Sequence, residues 1–167
     1  MSGDTKVLVG AVLVSVVIIA GAVFALGKGN ASAPNREALG TASMSIDKTE
    51  EDLGDMKVSD EKTATFTITN TSDTILRIWG VATSCDCTFA NITIGGQKTG
   101  EFNMTMHMAS NLKNWIGEVP AGEKAMLDVI YKPSIMPVSG PVTRQVNFST
   151  NDPDHATVEV TIAANVL

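Results

Sequence analysis

The feature that most constrains this 167-residue chain is an apolar run at residues 7–26, broken only by Gly10, Ser15 and Gly21. Twenty residues of helix span about 30 Å, the thickness of a bilayer's hydrocarbon core. Cleaved signal peptides usually carry a shorter apolar run of about 7–15 residues. The expectation is therefore a single transmembrane anchor, with cleavage after the Ala31-Ser32-Ala33 tripeptide as the alternative. Lys6 lies on one side of the run and Lys28 and Arg36 on the other, so the charge rule hardly selects an orientation. A short tail before one span ordinarily serves to export the domain on its C-terminal side. The expected order is a tail at 1–6, the anchor at 7–26, a flexible stalk rich in Gly, Ala, Ser, Asn and Pro at 27–42, and a domain at 43–167. That places the chain in the cell membrane as a single-pass protein, its C-terminal domain extracytoplasmic.

Beyond the run, apolar content falls from 44% to about 38%, enough for one core. Twelve basic residues against eighteen acidic ones, with no Lys/Arg cluster, argue against nucleic acid as a partner. No amphipathic helix is evident after residue 43. Short segments rich in Thr, Val and Ile alternate with turn residues instead, and 63–70, 75–83, 125–131, 142–149 and 157–166 read as strands. The fold class expected is all-β, an immunoglobulin-like β-sandwich preceded by the single N-terminal transmembrane helix. Its expected core includes Phe66, Ile68, Ile78, Trp79, Leu127, Val129, Val146, Phe148, Val158 and Val160, with Trp79 at the sandwich centre. Five Asn-x-Ser/Thr sequons occur, at Asn30, Asn70, Asn91, Asn103 and Asn147.

Four short motifs occur in order: Asp52-Leu53-Gly54, Ser84-Cys85-Asp86-Cys87-Thr88, Pro120-Ala121-Gly122-Glu123 and Ser149-Thr150-Asn151-Asp152-Pro153. Over about residues 45–166 they resemble the bacterial domain of unknown function 1573 family, immunoglobulin-like modules with a CGCT motif, a PGE turn and an SNDP turn. The resemblance implies the sandwich fold and no established activity. Two departures stand out. Asp86 replaces the family's usual Gly, and an inserted stretch at about 89–117 separates the Cys pair from the Pro-Ala-Gly-Glu turn.

Cys85 and Cys87 are the first candidate chemistry. At i and i+2 of an extended strand they would point the same way with Cα atoms about 6.5–7 Å apart, at or beyond the range of an unstrained disulfide. Side by side, two thiols suit a soft metal ion. An exporting compartment also permits a disulfide, and burial as small core residues is the third reading.

The insertion holds the second candidate, Phe102-Asn103-Met104-Thr105-Met106-His107-Met108. Thioethers and thiolates select Cu(I), and imidazole accepts copper or zinc. Met106-His107-Met108 followed by Val119-Pro120-Ala121-Gly122 is similar to the local pattern of exported copper chaperones. Spacing by two, however, puts Phe102, Met104, Met106 and Met108 on one strand face and His107 on the other, so a bulge, or use of His107 with only the strand's terminal Met, is needed to form one site. In the bland reading the Met row is core.

The acidic stretch Asp47, Glu50, Glu51, Asp52 and Asp55 lacks the looping ligand pattern of a calcium site. There is no Gly-rich phosphate loop, nucleophile elbow or convincing carboxylate pair, so an enzyme is not expected. The expected function is extracytoplasmic metal binding, Cu(I) buffering or transfer, with Zn(II) second. The ligands would be Cys85, Cys87, His107 and one or more of Met104, Met106 and Met108, and the partner another metal-handling or cell-surface protein. The rival is a metal-free structural or adhesive module making protein contacts at the cell surface.

Overall fold

In the computed structural model the described residues are 39–167, so the tail, the anchor at 7–26, the stalk up to residue 38 and Asn30 lie outside them. Among the described residues no helix is long and apolar enough to cross a membrane. Ten strands follow one another in the described residues: β1 (Met44–Ile46), β2 (Glu50–Met56), β3 (Lys62–Asn70), β4 (Leu76–Thr83), β5 (Thr88–Ile94), β6 (Gln97–Lys98), β7 (Ile116–Val119), β8 (Lys124–Tyr131), β9 (Gly140–Thr150) and β10 (Thr157–Val166). A one-turn helix, α1 (Ser110–Lys113), lies between β6 and β7. One sheet runs β1-β3-β8-β5-β6 and the other β2-β10-β9-β4-β7. Neighbours are antiparallel except β2 and β10, which are parallel. The expected all-β sandwich is the observed architecture.

Alternation explains the packing. In β3, Ala64, Phe66 and Ile68 face inward and are buried, while the intervening Thr residues are half-exposed. Leu127 and Val129 of β8, Val146 and Phe148 of β9, and Val158, Val160 and Ile162 of β10 supply the facing layers. Trp79 departs from expectation. It is buried, yet it stands outside the core between the sheets, because its neighbour Ile78 takes the inward position and adjacent strand residues face opposite ways. The β4–β9 register then shifts between Trp79 and Ala82, at Gly80, whose φ of +64° suits a residue without Cβ. After the shift Val81 and Thr83 are the buried residues.

Buried polar side chains tie the ends together. Asn70 donates to the carbonyls of Thr74 and Val119 and accepts from Ser72, which fixes the β3–β4 turn against β7. Asn151 accepts from the Arg77 N–H and donates to the carbonyls of Leu39 and Ile75. Ala42 is buried and its N–H bonds to the Asn151 carbonyl. The end of the expected stalk, residues 39–42, is thus held against the domain. Three sequon residues, Asn70, Asn91 and Asn103, are themselves buried and hydrogen-bonded, which denies them to a glycan.

Candidate functional site at the Cys85–Cys87 loop

The connection from β4 to β5 crosses from one sheet to the other in four residues, so it must turn. Thr88 N–H donates to the Cys85 carbonyl at 3.1 Å, and the Thr83 hydroxyl donates to the same oxygen at 3.0 Å. Ser84 is clamped to β9 by two bonds with the Gln145 backbone. This turn, rather than an extended strand end, carries the cysteines. It brings their Cα atoms to 5.2 Å, inside the disulfide range, and the two sulfurs are bonded. The extended-strand expectation is therefore corrected. In this form the pair offers no thiolates to a metal.

The two sulfurs have different surroundings. Cys87 is fully buried and belongs to the sandwich core, while Cys85 is partly exposed. Arg144 Nε donates to Cys87 Sγ at 3.2 Å, and its guanidinium lies over the Tyr131 ring, 5.5 Å from the centroid. The Tyr131 hydroxyl is buried without a hydrogen-bond partner among the described residues. On the outer side, Met136 Sδ lies 3.6 Å from Cys85 Sγ. Closing a ring of only three residues removes little freedom from the unfolded chain, about 1–2 kcal/mol. As a staple the disulfide contributes modestly.

The insertion docks onto this loop. Asn103 donates to the carbonyls of Asp86 and Thr88, and His107 Nδ1 meets Asp86 Oδ1 at 2.6 Å. Asp86 and the stretch at 89–117 therefore contact each other. The strand expected through 102–108 does not form. Phe102 makes an isolated bridge to Ala90, and the chain then turns, with His107 N–H bonding back to the Met104 carbonyl. The Met row is broken accordingly: Met108 is buried, Met104 half-buried and Met106 72% exposed. His107 reaches the Cys loop, but its contact is with the carboxylate between the two cysteines. Among the described residues no group of three or more His, Cys, Asp or Glu is placed to hold a metal.

Two neighbours of the disulfide were not anticipated. Nothing in local spacing marks Met136, which lies in the loop between β8 and β9. Arg144 does leave a signal, since it shares the two-residue period of Val142, Val146 and Phe148 and so puts a charge on an inward strand face.

Trp115 belongs to the insertion's own packing. Its ring meets Phe102 edge-on at 5.3 Å between centroids and lies across Gly117, where a Cβ would stand 2.3 Å from the indole and 2.9 Å from Ile94. Gly117→Ala is expected to cost about 1–3 kcal/mol by overpacking, with a shift in tryptophan emission, both read in a urea titration.

Comparison with known proteins agrees with this architecture. Residues 44–115 match the family model described as DUF1573, protein of unknown function. The stretch includes the Cys loop; the Pro-Ala-Gly-Glu and Asn-Asp-Pro turns lie beyond it. No curated protein matches the chain. Among solved structures, a protein of unknown function from Porphyromonas gingivalis W83 superposes with a TM-score of 0.55 at 18% identity, over 77% of this chain and 48% of that one. This chain thus spans about half the length of that relative, and the likeness is one of fold. A PapD-like domain of human CEP192 covers 83% of this chain and 92% of its own length at 7% identity and a TM-score of 0.49. The Escherichia coli chaperone DraB gives 8% identity and a TM-score of 0.45, over 76% and 57% of the two chains.

Proposed function

We propose that this chain, with its DUF1573 match over residues 44–115, is a membrane-anchored extracytoplasmic binding protein for Cu(I) whose site opens when the Cys85–Cys87 disulfide is reduced. Zn(II) is the weaker candidate, since a thioether suits the softer ion. The observation that supports this reading is the 3.6 Å separation of Met136 Sδ from Cys85 Sγ, which puts a third soft donor beside the cysteine pair. Reduction leaves two thiols in a loop fixed by hydrogen bonds from the Thr83 hydroxyl and from the Thr88 and Gln145 N–H groups. Cys85 and Cys87 would supply thiolates and Met136 a thioether. The Arg144 guanidinium beside Cys87 compensates the negative charge of two thiolates around a monovalent ion. His107, held on Asp86, is a neighbouring donor, and Met104, Met106 and Met108 around it are further soft donors. Such a protein buffers the ion or hands it to another metal-handling or cell-surface protein, and it carries out no turnover.

The test is a competition titration of the full reduced chain with Cu(I) against a chromogenic chelator. One equivalent should be retained by the reduced chain and none by the oxidised chain. Met136→Leu should weaken retention about tenfold or more, by loss of a soft ligand. Micromolar or weaker binding that is unchanged in a Cys85→Ser/Cys87→Ser variant overturns the proposal and favours the rival, a structural or adhesive module without metal.

A further inference from the structure

The disulfide is asymmetric in a way that its metal-free chemistry can use. Cys85 is the partly exposed residue of the pair, whereas Cys87 is sealed in the core with Arg144 Nε 3.2 Å from its Sγ. In thiol–disulfide exchange the attacked sulfur must be reachable, and the rate rises as the leaving thiolate becomes more stable. A guanidinium N–H directed at a sulfur lowers the cost of negative charge there. We propose that the Cys85–Cys87 disulfide exchanges with an external dithiol, attack falling on Cys85 and Cys87 departing as a thiolate held by Arg144.

In the first step one thiol of the dithiol loses its proton to solvent and its thiolate attacks Cys85 Sγ. The Cys85–Cys87 bond breaks, and its electron pair stays on Cys87. A mixed disulfide now joins Cys85 to the dithiol. In the second step the remaining thiol of the dithiol, deprotonated, attacks its own partner sulfur and releases the Cys85 thiolate. Two electrons pass to the cysteine pair, the dithiol becomes a disulfide, and the two protons released are available to the new thiolates. Run backwards, the same steps oxidise a dithiol substrate. The backbone clamps on Ser84, Cys85 and Thr88 do not involve the sulfur–sulfur bond, so the loop is built to persist in both states. The thiols it would yield are those of the proposed copper site, but exchange itself needs no metal.

The test uses the full chain, with chelator present, and dithiothreitol as the dithiol. Arg144→Gln should slow reduction about fivefold or more through the poorer leaving group, and Arg144→Lys should recover part of the loss. A rate unchanged in Arg144→Gln overturns the role of Arg144. The direction of attack is read separately from the single-cysteine chains. Cys87→Ser, which leaves Cys85, should form a mixed disulfide with oxidised glutathione at least about tenfold faster than Cys85→Ser, which leaves Cys87. Equal rates, or a faster Cys85→Ser chain, overturn the proposal. Because no copper is used, failure here leaves the Cu(I) titration to be judged alone, and the converse holds.

Discussion

Phe102→Ala is expected to cost about 3–5 kcal/mol, the range for removing a large aromatic side chain from a packed core. Phe102 is fully buried, packs edge-on against Trp115 and exchanges two backbone bonds with Ala90 at 2.8 and 3.0 Å. It carries the segment that follows β6 into the main core, where Ala90 and Ile92 of β5 also lie. Its loss leaves a cavity under β5 and frees the Trp115 ring that packs on it. Since a domain of this size has about 5–15 kcal/mol of stability in all, much of the margin would go. Chemical denaturation followed by tryptophan emission measures it. A loss below about 1 kcal/mol would mean that the insertion is not anchored through this ring. The effect should also reach the Cys loop, because Asn103, the next residue, donates to the carbonyls of Asp86 and Thr88.

Asp152→Ala is the second large effect, expected at about 3 kcal/mol. The Asp152 carboxylate is almost wholly buried and accepts the Met44 N–H at 2.8 Å, the Asp154 N–H at 2.9 Å and His155 Nδ1 at 2.9 Å. Truncation leaves two backbone donors without their charged acceptor, and such bonds contribute about 1.5–3 kcal/mol each. Burial by itself raises the Asp152 carboxyl, but the His155 ring and the Met44 and Asp154 N–H groups outweigh it and hold the pKa below its ordinary 3.8. The sign is set by that depression. A depressed carboxyl contributes stability that is present above about pH 3.8 and is lost as pH falls through the lower folded value. The stability gap between the native chain and Asp152→Ala should therefore be full at neutral pH and narrow below about pH 3.8. A gap independent of pH across that window would rule out the charged carboxylate as its source.

The sandwich was legible because alternation is local. Phe66, Ile68, Leu127, Val129, Val146, Phe148, Val158 and Val160 were all expected in the core and all lie between the sheets. Trp79 misled because Ile78 and Trp79 are adjacent apolar residues in β4, so the pattern hides which of them faces inward until Gly80 resets it. The Cys pair misled for a related reason. A spacing of two fixes side-chain direction only in an extended strand, and these residues make the corner between two sheets. The Met row failed at the same assumption, since the chain turns between Met104 and His107. Met136 was out of reach altogether, as its approach to Cys85 depends on how the β8–β9 loop packs across the molecule. Arg144 was within reach, for a charge on an inward strand position already implies a buried partner.

The acidic opening strand, dismissed as a calcium site, acquires a different meaning from its place in the sheet. β2 is an outer strand seven residues long and carries Glu50, Glu51, Asp52 and Asp55, while the other outer strands, β1, β6 and β7, have three, two and four residues. An outer strand offers unpaired backbone groups on which a second molecule can build, and brevity or like charge discourages it. Here the three short edges are too brief to template a neighbour, and the long one repels a copy of itself. This distribution keeps neighbouring copies from fusing through their backbones, even where they are densely crowded.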